Sequence, residues 1–271
     1  MPNPPLSRSV TPRISIVIPA RNESRNLESV LPELPPVHQV ILVDGNSVDG
    51  TIETARRLMP EIEVIQQTRT GKGNALACGF AAVTGDVVIM FDADGSADPA
   101  EIPAYVAALV GGADVAKGSR FLRGGGSEDI TRFRSAGNRV LNLITNMLLG
   151  THYTDLCYGY NAFWAHVLPS LALPDIRLAP RSDGRMHWGD GFEIETILNC
   201  RIAAAQLAVT EVPSVERLRI HGVSNLNAFS DGFRVLKTIL TEFQDGARAH
   251  TLVGGGRPST ALAEARAEEA A

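Results

Sequence analysis

Asp92 and Asp94 follow the apolar run Val87 to Phe91 with one residue between them. In an extended chain alternate side chains share a face, so both carboxylates point the same way. Two ionised carboxylates side by side repel unless a cation lies close. The spacing suits a hard divalent ion, Mg2+ or Mn2+, held by one or two carboxylates and completed by substrate phosphate oxygens. A solvated turn, with one aspartate capping a helix that begins near Asp98, is the alternative. Asp44 ends a second apolar run, Val40 to Val43. A carboxylate there can accept from a nucleobase N–H or from ribose hydroxyls, or serve as the turn residue of Asp-Gly-Asn-Ser. Arg69 and Lys72, in RTGKG, set two cations beside these acids, suited to diphosphate charge.

Such groups need elements that bring them together. RISIVIPA (13–20) is rich in Ile and Val, as a strand buried on both faces should be. Strands are likewise predicted at 38–45, 62–68, 86–94 and 113–121. Helices are predicted between them. The first, at 23–34, sets Leu27, Val30, Leu31 and Leu34 on one face. The second, at 49–59, has Asp49 or Thr51 near its N-cap. The third, at 72–85, closes at Gly85. The fourth, at 98–112, has Pro in its first turn and Gly at its end. This rhythm implies βαβ units and an α/β fold with a mainly parallel sheet. In such sheets ligands bind beyond the C-terminal strand ends. The loops at 19–23, 43–50, 67–73 and 91–96 all fall there.

Bulk properties narrow the classes. A chain of 271 residues forms one large domain or two small ones. Its net charge of −5 argues against a generic nucleic-acid binder. Cys78, Cys157 and Cys200 form no Cys-x-x-Cys pair, which removes a zinc ribbon or thioredoxin-type motif and suits reduced thiols. Neither a Walker A loop nor a GxGxxG after the first strand is present. The N-terminus lacks the apolar segment of a secretory signal, and no run reaches about 18 apolar residues. The expected location is cytoplasmic, with peripheral contact at the inner face of the membrane as its variant. Residues 1–12 read as a disordered N-terminus and 244–271 as a mobile tail.

Five segments in order, IVIPARNE (16–23), VDGNSVDGT (43–51), RTGKGNA (69–75), DADGS (92–96) and KGSR (117–120), resemble the nucleotide-sugar-binding half of a family 2 glycosyltransferase with the GT-A fold. TRFRSAGNRVLNLITNMLLG (131–150), TDLCYGYNAFW (154–164) and the stretch 191–225 are similar to its polyprenyl-phosphate hexosyltransferase branch, dolichol-phosphate mannose synthases included. The likeness covers 13–243: 13–122 as the donor half and 123–243 as the acceptor side.

The resemblance implies a Rossmann-like sheet flanked by helices. It implies transfer of a hexose, with inversion, from a GDP-mannose or UDP-glucose type donor to a polyprenyl or dolichyl phosphate, with Mg2+ or Mn2+ on the diphosphate. Pro19, Arg21 and Glu23 then match the loop at the nucleotide, with Arg21 where the family has tyrosine. Val43 and Asp44 match the next strand end, and Gly45 replaces a frequent second aspartate. Asp92, Ala93 and Asp94 match the metal motif, and Ser96 a position that can add a ligand. Arg120 matches an arginine near the donor. Arg132 and Arg134 fall where an acceptor phosphate is expected. Arg219 matches a diphosphate-side arginine, and Asn225 stands where the family has lysine.

Inverting transfer needs a stabilised leaving group and a positioned nucleophile. Asp94, Arg219 and Lys72 are assigned to the leaving diphosphate. An acceptor phosphate needs arginines to hold it; a neutral hydroxyl needs a base, for which Asp190, Glu193 and Glu195 are candidates. Asp190 could instead cap a helix, and Glu195 could pair with a basic residue. His221 reads as a loop-ordering or diphosphate-contacting residue. The helix at 139–150 reads as core, or as a surface that meets a lipid acceptor. The competing functions are a glycosyltransferase acting on a soluble hydroxyl acceptor, a nucleotidyltransferase, and a non-catalytic nucleotide-sugar-binding module.

Overall fold

Ile14–Ala20 forms strand β1, almost wholly buried because its residues are apolar on both faces. The computed structural model describes residues 9–222 and 228–253. After β1 come helix α1 (Ser24–Val30), β2 (Gln39–Asp44), α2 (Thr51–Leu58), β3 (Glu63–Gln66), α3 (Lys72–Ala81), β4 (Val87–Met90), α4 (Ile102–Val110) and β5 (Val115–Ser119). The chain continues through β6 (Gly126–Ser127), α5 (Arg132–Leu149), β7 (Asn161–Trp164), α6 (Ile194–Ala204), β8 (Val209–Pro213), β9 (Val215–Glu216) and α7 (Ala228–Val253).

The large sheet has seven strands in the order β3-β2-β1-β4-β7-β5-β8. All its neighbours are parallel except β7, which runs antiparallel between β4 and β5. No strand was expected at 161–164. Its four residues, Asn161 to Trp164, are buried and give a pattern too short to separate from a core segment. Helices cover the sheet, and β6 pairs with β9 in a separate two-stranded ribbon. The core joins Ile16, Val17, Ile41, Leu42, Val88 and Ile89 to Leu27, Leu76, Tyr105 and Phe163.

Several element ends differ from expectation. α3 stops at Ala81, and Gly85 instead lies against Ser15, where a Cβ would come within 2.6 Å of its Oγ. The N-cap of α2 is Gly50, at φ +85°, and Asp49 accepts from the Thr51 N–H at 3.1 Å. The C-terminal helix runs on through Gly246 to Val253, nine residues past the expected start of the mobile tail. Residues 1–8 and 254–271, read as disordered or mobile, lie outside the described residues.

Candidate active site

The parallel register sets Ala20 beside Asp44, and β4 delivers Asp92 two residues past its last strand residue on the same edge. Beyond this edge lies a cavity of about 940 Å³. Its charged end is lined by Glu23, Lys72, Asp92, Asp94, Glu195 and Arg219.

Gly95, at φ +79°, turns the chain directly after Asp94. The turn lets Asp94 Oδ1 accept from the Ser96 N–H at 3.0 Å and from its hydroxyl at 2.7 Å. The segment 217–221 docks on this loop through its backbone. Arg217 N–H donates to Ser96 O at 2.9 Å and Ile220 N–H to Asp94 O at 3.1 Å. His221 N–H donates to Asn26 Oδ1 at 2.9 Å. This places Arg219 Nη2 2.8 Å from Asp94 Oδ2 and Nη1 3.8 Å from Glu23 Oε1. Burial holds Glu23 above the ordinary carboxyl value.

Lys72 opens α3. Its Nζ lies 2.8 Å from Asp92 Oδ1 and 2.6 Å from Glu195 Oε1, in the first turn of α6. Burial works to lower its pKa, but the two carboxylates outweigh burial and raise it. Asp92 is raised by burial first, with Asp94 and Glu195 adding and Lys72 opposing. Glu193 immediately precedes α6 and accepts from the N–H groups of Gly189 at 3.1 Å and Gly191 at 3.2 Å. So Glu195 faces the site and Glu193 braces the turn before it.

The fate of the other predicted residues is mixed. Pro19, Arg21, Ala93 and Ser96 line the cavity. Val43 is core, and Asp44 is buried behind the cavity wall. Asp44 Oδ2 accepts from Ser47 N–H and Gln66 Nε2, both at 3.1 Å, while Oδ1 is buried with no partner. Arg134 lines the cavity and pairs with Asp129 at 2.9 Å; Arg132 is exposed and is absent from the lining. Asn225 lies outside the described residues.

Two assignments need correction. Asp190 is fully buried and joined to Arg69 by two hydrogen bonds, at 2.7 and 2.8 Å. Arg69 also donates to the carbonyls of Asp175 and Leu178, at 3.0 and 2.9 Å. Neither side chain lines the cavity, so Asp190 is not placed to act as a base there, and Arg69, with four of its five N–H donors spent, is not placed to meet a diphosphate. Their pair docks the 189–190 turn on α3: Asp190 O accepts from the N–H groups of Gly73 at 2.8 Å and Asn74 at 3.1 Å. Arg120, expected near the donor, lines the cavity, and its side chain, 4% exposed, pairs with Asp155 at 2.7 Å and Glu216 at 2.9 Å. It braces the cavity floor.

Sequence reading missed Asn26, Asp129, Asp155 and Gly159. Asp155 and Gly159 lie within quoted segments but carry no spacing signal, since their partners are distant in the chain. A Cβ on Gly159 would come within 2.4 Å of Glu195 Oε1. Cys157 lines the cavity, but burial pushes its thiol up to about 12, which leaves it protonated at neutral pH.

Residues 15–170 match the family model described as glycosyl transferase family 2. The chain belongs to this family. Among curated family relatives it is 31% identical over 229 residues to polyprenol monophosphomannose synthase of Mycolicibacterium smegmatis, covering 80% of this chain and 82% of that one. It is 28% identical over 224 residues to dolichol-phosphate mannosyltransferase of Pyrococcus furiosus, covering 79% of this chain. It spans only 59% of the length of that relative. A solved structure of glucosyl-3-phosphoglycerate synthase from Mycobacterium tuberculosis, in complex with Mn2+, UDP and glucosyl-3-phosphoglycerate, superposes with a TM-score of 0.65 at 24% identity, over 86% of this chain and 80% of that one. The likeness places the family 2 chain in the GT-A fold.

Proposed function

We propose that this chain is an inverting hexosyltransferase that uses a nucleoside diphosphate sugar and a lipid phosphate acceptor of the polyprenyl type. The observation that carries the reading is the polarity of the cavity. Its inner end holds the acids and cations described above. Its mouth is lined by Ile130, Phe133, Leu141, Met186 and Phe192, with Arg134 among them. A donor diphosphate suits the first end. A phosphate carried on an apolar chain suits the second. The printed names of the Mycolicibacterium and Pyrococcus relatives agree with an acceptor of this kind.

Asp92 and Asp94 are candidates to hold a divalent cation. Two carboxylates are what Mg2+ or Mn2+ takes from protein when phosphate oxygens complete its shell. Among the described residues no group of three or more His, Cys, Asp or Glu is arranged as a closed site. When bound, the ion would offset negative charge on the diphosphate. Ser96 orders Asp94 through two hydrogen bonds, at 3.0 and 2.7 Å, and so acts on the ligand geometry.

In the transfer, an acceptor phosphate oxygen forms a bond to the anomeric carbon as the carbon–oxygen bond to the diphosphate breaks. The nucleoside diphosphate leaves with the electron pair. Arg219 supplies positive charge to that leaving group, and Lys72 reaches the same end. Arg134 steadies the acceptor phosphate at the mouth. An anionic nucleophile brings no proton that must be removed, so Glu195 serves by orienting Lys72.

The apolar mouth continues into an exposed stripe. Phe133, Val140, Leu143 and Met147 share one face of α5, a helix with three arginines and no acidic residue. Peripheral contact with a membrane surface through this face brings the mouth to the acceptor. No helix among the described residues is long and apolar enough to cross a membrane.

Calorimetric titration with GDP-mannose, UDP-glucose and UDP-N-acetylglucosamine, with and without Mn2+, tests the donor site. One donor should bind in a Mn2+-dependent way, and Asp94→Ala should abolish it. Radiolabelled transfer to polyprenyl phosphate then tests the acceptor. Absence of binding by every donor under every metal condition would sink the reading.

A further inference from the structure

Four carboxylates and two cations meet at the inner end of the cavity. Glu23, Asp92, Asp94 and Glu195 face Lys72 and Arg219. The formal excess of two negative charges equals the charge of one divalent ion. Yet the side-chain cations already sit on the oxygens such an ion would need. Arg219 Nη2 lies 2.8 Å from Asp94 Oδ2, and Lys72 Nζ lies 2.8 Å from Asp92 Oδ1. The other oxygen of Asp94 accepts from Ser96 N–H at 3.0 Å and Oγ–H at 2.7 Å. An ion arriving alone finds both oxygens of Asp94 already engaged, Oδ2 by the Arg219 charge.

The backbone around Arg219 is held on both sides. Arg217 N–H and Ile220 N–H donate to Ser96 O and Asp94 O, at 2.9 and 3.1 Å. Ile220 also packs over Gly95, where an added Cβ would lie 2.5 Å from Ile220 Cδ1. The Arg219 side chain itself is 34% exposed and keeps the freedom of a long chain. Its guanidinium can leave Asp94 while the segment stays docked.

We infer that Arg219 is the resident counter-cation of Asp94: it keeps a bare divalent ion off the acidic pair and yields to one that arrives with a diphosphate, whose oxygens then take the guanidinium. Arg219 is in this respect a positioning residue for the cation. Ion and nucleotide consequently bind interdependently, each improving the site for the other. The inference rests on the glycosyltransferase reading and deepens it.

The test measures Mn2+ affinity by calorimetry, and by the electron paramagnetic resonance signal of free Mn2+, without nucleotide and then with GDP or UDP. Wild type should bind Mn2+ alone weakly and Mn2+ with one diphosphate tightly. Arg219→Gln should bind Mn2+ alone about tenfold more tightly, the scale of one charge-assisted contact removed. The same variant should lose most of the synergy between Mn2+ and the diphosphate. Arg219→Lys, which keeps the charge, should stay near wild type for Mn2+ alone. If Arg219→Gln, shown folded by circular dichroism, binds bare Mn2+ no better than wild type does, the inference is wrong. If wild type binds Mn2+ with neither diphosphate, the glycosyltransferase reading fails with it. The two failures are distinct, because the first leaves wild-type binding of Mn2+ with a diphosphate intact.

Discussion

Lys72 Nζ stands 2.6 Å from Glu195 Oε1 and 2.8 Å from Asp92 Oδ1, so one ammonium ties the acidic pair after β4 to the first turn of α6. The approach depends on Gly159, where a Cβ would lie 2.4 Å from the Glu195 carboxylate and 3.5 Å from Nζ. Gly159→Ala should therefore push Glu195 aside and lower kcat while leaving donor affinity near wild type. Lys72→Ala removes the charge itself and should lower kcat/KM by roughly 10²-fold or more, as loss of a preorganised electrostatic group does. Steady-state kinetics beside calorimetric donor binding checks both. A Gly159→Ala enzyme with wild-type kcat would mean that the placement of Glu195 does not matter.

Arg69 and Asp190 make a closed pair, with side chains 3% and 0% exposed. Removing one partner strands a buried charge, at a cost of about 3–5 kcal/mol. Asp190→Asn and Arg69→Met should each lower the thermal midpoint substantially. The double variant should lose much less than the sum of the two. Molecules that stay folded should keep the donor affinity of wild type, since the pair acts on the seat of α3. A donor affinity lost without loss of stability would return Asp190 to the chemistry.

Much of this arrangement is legible in the residues. Apolar runs ending in Asp44 and Asp92 mark strands whose C-terminal edge carries charge, and that edge is where the cavity lies. The placement of Lys72, Asp92, Asp94, Glu195 and Arg219 follows the same logic, because each sits at an element end or in a loop beside it. What failed was the choice of partner. Arg69 and Arg120 look as available as Lys72 in sequence, yet each meets a buried aspartate far along the chain, Asp190 and Asp155. Spacing reports local geometry, whereas such pairs are set by tertiary packing. The antiparallel β7 escaped for a related reason: four buried residues carry no period of their own.

Lys117 is wholly buried in β5, with one hydrogen bond, to Tyr158 O at 3.3 Å, and it makes no ion pair among the described residues. Burial lowers its pKa, against the pull of Asp155, Glu211 and Glu195. The unfolded chain therefore binds this proton more readily than the native protein. The group's penalty is fully present below its lowered native pKa and is relieved as pH rises toward about 10.4. Lys117→Met should stabilise the protein at neutral pH by about 1 kcal/mol, or roughly 2–4 °C in Tm. That advantage should shrink as pH approaches 10. Thermal melts of both proteins across pH 6 to 10 measure it, and an advantage that widened with pH would contradict the sign.

The apolar face of α5 sets up the last test. Met147 is 68% exposed and Val140 58%, and neither side chain lines the cavity. Leaving such side chains in water gives up part of the roughly 1.5–3 kcal/mol that burying each one fully would yield. A lipid surface offers that burial, and the arginines of α5 suit anionic headgroups. Val140→Glu with Met147→Glu should weaken sedimentation with vesicles containing anionic lipid. The pair should also lower transfer to polyprenyl phosphate presented in those vesicles. Transfer to a short-chain, water-soluble phosphate acceptor should stay at the wild-type rate, because neither side chain lines the cavity. Equal loss on both acceptors would place the effect in the catalytic domain and remove this face from membrane contact.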